Sequence, residues 1–304
     1  MWKKVGQFLA PDSTVSWMST YAGPTFAVSM NDQVKLYVTG RNQLNQSEIG
    51  CVTVKVNTDK SLPEIVGVGQ EAIFKVGQIG TFDESGVSYP WIVDFEGRPY
   101  MYYVGWVAGG RTRFQNYTGL AISDDGGNSF NRVSKVPILE RSDQEPYGSG
   151  SCAVWLENGQ WNMIYTAFGP WIDTASGAHP SYRLKEAVSK DGINWIRTGR
   201  IVVDFLSDNE TIIGKPMIVK DTDCYRLWYS HRGDSYRIGY AESDDGFNFI
   251  RKDKSVGITT SDQGWDSEMI EYAFVFDHQK VRYMIYNGNQ FGKTGLGIAT
   301  WIQC

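Results

Sequence analysis

The stretch Pro216-Met-Ile-Val-Lys-Asp-Thr-Asp-Cys-Tyr-Arg-Leu-Trp-Tyr229 decides the fold, because it recurs. An apolar run opens on a small residue or proline, a polar turn interrupts it, and a Tyr stands thirteen positions after the opener. The same frame runs from Pro24 to Tyr37, Pro90 to Tyr103, Cys152 to Tyr165 and Ala273 to Tyr286. A repeat of this kind marks stacked or radially arranged structural units. Within the fourth unit, Pro216–Val219 reads as a first strand, Asp221-Thr222-Asp223 as a turn and Tyr225–Ser230 as a second strand. A third strand follows over Arg237–Ser243, then the turn Asp244-Asp245-Gly246 and a fourth strand opening at Phe249. Asp-Gly between alternating strands is a hairpin signal. Related turns stand at Ser123-Asp124-Asp125-Gly126 and Ser189-Lys190-Asp191-Gly192. There the Ser or Asp side chain closes the turn on its own backbone and Gly takes the positive φ, so these motifs read as scaffold.

Five units of four strands predict an all-β chain, a five-bladed β-propeller forming a single domain over residues 1–304. The fifth unit is one strand short at its C-terminal end. Trp2–Leu9 resembles Trp195–Val202, the outermost strand expected in the third unit, so the N-terminal strand is predicted to close the last blade. Closure of that kind removes an exposed sheet edge. The alternative of two β-sandwich domains accounts for neither the repeat nor the borrowed strand.

A net charge of −5 argues against nucleic acid as a partner, and no run of eighteen apolar residues suits a membrane span. Met1–Gly6 lacks the apolar stretch of a secretory signal, and Cys51, Cys152, Cys224 and Cys304 form no metal-type pair, which points to a cytoplasmic protein. Cys152 lies in an apolar run and reads as a buried free thiol. No cofactor motif is visible: there is no Walker loop, no Gly-x-Ser-x-Gly elbow and no His-Glu-x-x-His, and three histidines spread along the chain suggest no metal site.

In a propeller the segments before the first strands and the loops between second and third strands meet at one face, the default binding site for such a fold. Here the loops carry Trp106, Phe168, Trp171, His179, His231 and Phe291, a set suited to stacking on sugar rings, and the cations Arg41, Arg111, Arg113, Arg232 and Lys293. A cationic face on an acidic protein points to a phosphate or carboxylate on the ligand. Because the units align, residues can be sorted. Asp83, Glu145 and Asp266 share one position seven before the opener, with Asn209 in the fourth unit, so that column reads chiefly as scaffold. Glu271 is alone: two before Ala273, it stands where the other units have Ala22, Ser88, Gly150 and Gly214. Lys215 is equally alone just before its opener.

The register, the Ser-x-Asp-Gly turns and the stretch from Gly264-Trp265-Asp266-Ser267-Glu268 to Tyr286-Asn287-Gly288-Asn289 resemble the five-bladed propeller enzymes that act on sugars. These are the arabinanase, invertase and β-mannoside phosphorylase types, and the likeness is to a divergent branch associated with polysaccharide genes. The resemblance implies an enzyme acting on a glycosidic or glycosyl-phosphate bond in bacterial surface-polysaccharide metabolism. Within that reading the comparison of units makes Glu271 the expected acid or base, helped by Asp83 or Glu268, with Tyr89, Lys215, Arg41, Arg113, His231, Arg232 and Asn289 as expected substrate contacts. The hydrolases of this group carry acids at the heads of inner strands, often just before proline. Here those positions hold Gly23, Tyr89, Ser151, Lys215 and Tyr272. That departure keeps two alternatives open: a transferase or isomerase working on a nucleotide-sugar, and a non-catalytic carbohydrate-binding propeller.

Overall fold

The computed structural model describes residues 1–57, 61–175 and 177–302. Cys304, named above among the cysteines, lies outside the described residues. The chain is all-β, with three short 3-10 turns at Ser16–Met18, Asp253–Ser255 and Asn289–Gly292. Among the described residues no helix is long and apolar enough to cross a membrane.

The strands pair as antiparallel meanders that follow the repeat. The first comprises Tyr21–Met30, Gln33–Arg41, Ser47–Lys55 and Glu64–Val68. The second comprises Gly86–Phe95, Arg98–Ala108, Phe114–Ile122 and Asn131–Arg132. The third is Ser149–Glu157, Gln160–Phe168, Tyr182–Ser189 and Trp195–Val203. The fourth is Ile212–Lys220, Tyr225–Arg232, Tyr236–Ser243 and Ile250–Arg251. In the last group Glu271–His278, Val281–Asn287 and Leu296–Trp301 are joined by Trp2–Leu9, which pairs antiparallel with Leu296–Trp301. The borrowed N-terminal strand is therefore observed. Each meander's first strand contacts the next one's, and Glu271–His278 contacts Tyr21–Met30.

The register residues explain the repeat. Every inner strand carries a β-bulge across its opener, between Ala22 and Thr25, Ser88 and Trp91, Ser149 and Cys152, Gly214 and Met217, and Glu271 and Phe274. A bulge interrupts the ladder, which is where proline, lacking an N–H, is tolerated within a sheet. The Tyr thirteen positions on is buried in each unit. Three of these hydroxyls reach the recurring acids: Tyr103 to Asp83 at 3.1 Å, Tyr165 to Glu145 at 2.8 Å and Tyr286 to Asp266 at 3.1 Å. A basic side chain completes each tie, Arg132 at 2.7 Å, Arg197 at 2.8 Å and Lys4 at 2.6 Å respectively. In the fourth unit the acid is Glu210, one residue after the expected Asn209, held by Arg251 at 2.7 Å, while Tyr229 donates to Asp253 at 2.5 Å. Buried carboxylates require such partners, because an unpaired buried charge is heavily penalised.

The expected Ser-x-Asp-Gly turns close as predicted. Ser123, Ser189 and Ser243 donate to Asp125, Asp191 and Asp245. Side-chain and backbone hydrogen bonds hold these three carboxyls well below the usual range. Gly126, Gly192 and Gly246 take the left-handed backbone at φ 72, 73 and 79°. Cys152 is a buried free thiol. At the junction of the termini, Trp2 packs edge-on against Trp301 at 5.0 Å and Trp228 at 6.2 Å. Trp2→Ala is expected to lower the unfolding free energy by about 3 to 5 kcal/mol through the cavity it leaves; urea denaturation followed by tryptophan fluorescence measures it.

Candidate active site

A cleft of about 510 Å³ opens at the face where the heads of the inner strands meet the loops between second and third strands. Every unit lines it. Among its lining residues are Arg41, Arg113, Lys215, Arg232, Lys293 and His179, and no described lining residue is Asp or Glu. The cleft of an acidic protein is thus cationic.

The bulges set its floor. Tyr89, Lys215 and Tyr272 sit immediately before the openers and adopt left-handed backbone with φ 53, 52 and 56°. Non-glycine residues rarely take that conformation, and where they do it gathers at functional sites. Here it turns three large side chains into the cleft that an unbulged strand would aim elsewhere. At the first unit the place is closed to any side chain: a Cβ on Gly23 would meet the Tyr21 ring at 2.2 Å. The Tyr21 ring fills that place.

Lys215 is buried, donates to the Ala273 carbonyl at 3.1 Å and lies over the Phe274 ring at 5.4 Å. Burial pulls its ammonium group down to about 7. Arg41 stacks on Tyr21 at 5.1 Å and Trp106 at 5.6 Å and donates to Asn45 at 2.9 Å, while its Nε has no partner among the described residues. Arg232 stacks on Tyr236 at 5.4 Å. An apolar wall faces these cations, with Phe168 at 4.4 Å from Tyr182 and 6.2 Å from Phe114.

Glu271 lies under this floor. It is 0% exposed, and among the described residues neither carboxyl oxygen has a hydrogen-bond partner. Its strand neighbour Asn287 donates to the carbonyls of Ala22 and Phe291, both at 3.2 Å, leaving its own Oδ1 without a partner there. Desolvation drives the Glu271 carboxyl well above the carboxylate range, with Arg232 opposing it in part. Burial thus favours the protonated form of this carboxyl. Its charge would also bear on Tyr21, Tyr89, Tyr236 and Tyr272, all of which line the cleft.

The structure thus gathers Tyr89, Lys215, Arg41, Arg113 and Arg232 in the cleft, with Glu271 beneath it. Four other candidates stand outside the cleft lining. Asp83 is fully buried in its Tyr103–Arg132 tie, away from the cleft. Glu268 is exposed and outside the cleft lining. Asn289 holds the preceding loop, accepting from the Glu268 backbone at 2.8 Å and donating to the Gly264 carbonyl at 3.0 Å. His231 pairs with Glu210 at 2.7 Å and does not line the cleft. Trp171 likewise packs on Phe114 at 5.4 Å and is not among the lining residues. The Tyr21–Tyr236–Tyr272 cluster was not expected from the sequence. The signal was there for Tyr272, which shares its column with Tyr89.

No protein-family model matches the chain. Over 299 residues, 98% of either chain, it is 32% identical to the uncharacterised proteins MT1551 and Rv1502 of two Mycobacterium tuberculosis strains. It is 30% identical over 162 residues to a 1,2-beta-oligomannan phosphorylase of Thermoanaerobacter sp. (strain X514), covering 49% of this chain and 53% of that one. Among solved structures, a glycosyl hydrolase from Bacteroides ovatus superposes with a TM-score of 0.76 at 14% identity, over 99% of this chain and 93% of that one. A member of the GH130 mannoside phosphorylases and hydrolases superposes with a TM-score of 0.73 at 14% identity, over 99% and 93%. These likenesses give the fold as that of the propeller glycoside hydrolases.

Lys215 yields a pH test with a fixed sign. Its amine is charged below about 7 and neutral above. Sulfate keeps its charge through that range, so its affinity for the cleft should fall as pH rises through about 7. Calorimetric titration of Lys215→Met should show weaker binding and a flat profile across the same interval.

Proposed function

We propose, for a chain that belongs to the family of the mycobacterial proteins MT1551 and Rv1502 within the glycoside-hydrolase-like propeller superfamily, that it transfers a glycosyl group between a sugar hydroxyl and phosphate. We read its meanders as the five blades of one propeller domain over residues 1–304, and the protein as cytoplasmic, where phosphate and sugar phosphates are at hand.

One observation carries the reading: the cleft presents five Lys and Arg side chains and, among the described residues, no carboxylate, counting Arg41, Arg113, Lys215, Arg232 and Lys293. Hydrolysis of a glycosidic bond requires two carboxyl groups, one to protonate the leaving oxygen and one to attack or to activate water. Here a single unpaired acid, Glu271, lies at the site, and the place of the second is taken by cations. An oxyanion held by those cations supplies the nucleophile itself, so no second carboxylate is needed. Arginine is suited to this, since its planar fork matches phosphate oxygens. The aromatic wall of Phe114, Phe168 and Tyr182 stacks on sugar rings, and Glu271, whose protonated form burial favours, is the source of the proton that the departing hydroxyl requires. The partial identity to an oligomannan phosphorylase supports the same choice.

The test is a panel of manno-oligosaccharides and other glycans incubated with inorganic phosphate, scored for sugar 1-phosphate. Phosphate-dependent formation of a glycosyl phosphate is the expected result. Turnover indifferent to phosphate, or turnover of nucleotide-sugars alone, would count against it, and binding without turnover would favour a carbohydrate-binding module. Arg232→Leu should raise the KM for phosphate by about tenfold or more, the loss of one charge-assisted contact.

A further inference from the structure

A second groove, of about 810 Å³, is larger than the cleft and lies between the fourth and fifth meanders. Asp221, Arg226, Trp228, Tyr240, Arg282 and Trp301 are among its lining residues. It sits towards the other end of the inner strand, since Asp221 follows Lys215 by six residues, roughly 20 Å of extended chain. Comparison of the junctions between meanders shows what is different there. At three of them the residue nine after one opener meets the residue five after the preceding opener. Trp161 meets Phe95 ring to ring at 5.1 Å, and Tyr225 donates to Glu157 at 2.7 Å. At the last junction the pair is Arg282 and Asp221, joined by hydrogen bonds of 2.8 and 2.7 Å. A ring fills the first two places; an ion pair stands at the third, beside open space.

The lining joins aromatic surface to charges that are already paired. Trp228 and Tyr240 pack at 5.3 Å, and Trp301 is 37% exposed. Arg226 donates to both oxygens of Asp223, at 3.0 and 2.8 Å, and Arg282 also donates to Asp277 at 2.8 Å. Glu242 accepts from Tyr240 at 2.6 Å and from Lys252. Each carboxylate of the lining therefore has a basic partner, and the groove offers fixed donors and acceptors with little net charge. Carboxylate oxygens held in this way keep lone pairs for further bonds. One donor has no partner: Trp228 is 2% exposed, and its indole N–H meets no acceptor among the described residues. A buried donor left unmet calls for an explanation, and an acceptor oxygen brought in by a ligand supplies one.

We propose that this groove is a non-catalytic carbohydrate site that holds a stretch of neutral oligosaccharide. Trp301 and Tyr240 offer ring surface to the C–H face of a pyranose, as an amphipathic side chain does at an interface. The paired carboxylates and guanidinium groups offer acceptors and donors to its neighbouring hydroxyls. Four carboxylates in the lining repel a phosphate or an acidic sugar, and their pairing with Arg226, Arg282 and Lys252 leaves little attraction for a cation. The groove thus differs in chemistry from the cleft, whose unpaired cations select an anion. The assignment rests on the residues of the groove and stands apart from the phosphorolytic reading.

Fluorine NMR of the full chain labelled with 5-fluorotryptophan tests it. The Trp228 and Trp301 signals are identified by their loss in Trp228→Phe and Trp301→Phe. The probes are β-1,2-linked mannotetraose, cellotetraose and maltotetraose, with spermidine as a cationic control. At least one tetrasaccharide is expected to shift both signals saturably. Trp301→Ala and Asp223→Ala should each weaken that binding about tenfold, followed on the Trp228 signal, the worth of one ring face or one charge-assisted bond. Sulfate affinity in the cleft should stay unchanged in both. Trp301 also packs on Trp2, so if Trp301→Ala loses sulfate binding as well, Asp223→Ala decides, its side chain being 64% exposed. Signals that no tetrasaccharide moves, signals that spermidine moves instead, or a glycan affinity that the deciding variant leaves unaltered overturn the proposal. Absence of glycosyl phosphate formation counts against the cleft reaction alone, because the groove is read from its own tryptophans.

Discussion

The bulge at the head of each inner strand is the constraint on which the site depends. An unbroken antiparallel ladder would alternate its side chains between the two faces of each sheet. The extra residue breaks that alternation where the strands converge, and the side chain before the opener is turned into the cleft instead. Tyr89, Lys215 and Tyr272 occupy this position in left-handed backbone. The strain is offset by the rest of the meander, whose ladders run without interruption below the bulge. The same break tolerates proline, so the sequence pattern that reveals the repeat also marks the places where the site is built.

Charge is arranged around the cleft by what is left unpaired. The recurring acids are consumed by the fold, each bound to a tyrosine or to arginine and lysine of the outer strands. The cations of the cleft are stacked on aromatic rings, as Arg41 is on Tyr21 and Trp106 and Arg232 on Tyr236. A ring face orients a guanidinium without neutralising it. The result is a positive cleft in a chain of net charge −5, with one buried acid, unpartnered among the described residues, held below it.

Much of this was legible in the sequence because the repeat supplied internal comparisons. The meanders, the closing N-terminal strand, the Ser-x-Asp-Gly turns and the location of the cleft all follow from aligning the units. The same comparison singled out Glu271 and Lys215 and placed the Asp83 column towards scaffold. Glu268, Asn289 and His231, by contrast, do not line the cleft. Their loops were assigned to the right face, but whether a loop residue points into a cleft or holds the loop down depends on its hydrogen bonds, as Asn289 shows with Gly264 and Glu268.

By itself the sequence determined the periodic order of strands and turns, since period-two patterning and turn chemistry are local and repeat with the chain. It also determined which residue types are unique to one unit. Only the tertiary structure decided which of those acids stays unpaired. Asp83 and Glu271 are both carboxylates near an inner strand. One finds Arg132 and Tyr103 within hydrogen-bonding distance and the other finds no partner among the described residues. Such partners come from residues far apart in the chain, and burial, which sets whether a carboxyl is charged, is a property of the assembled fold.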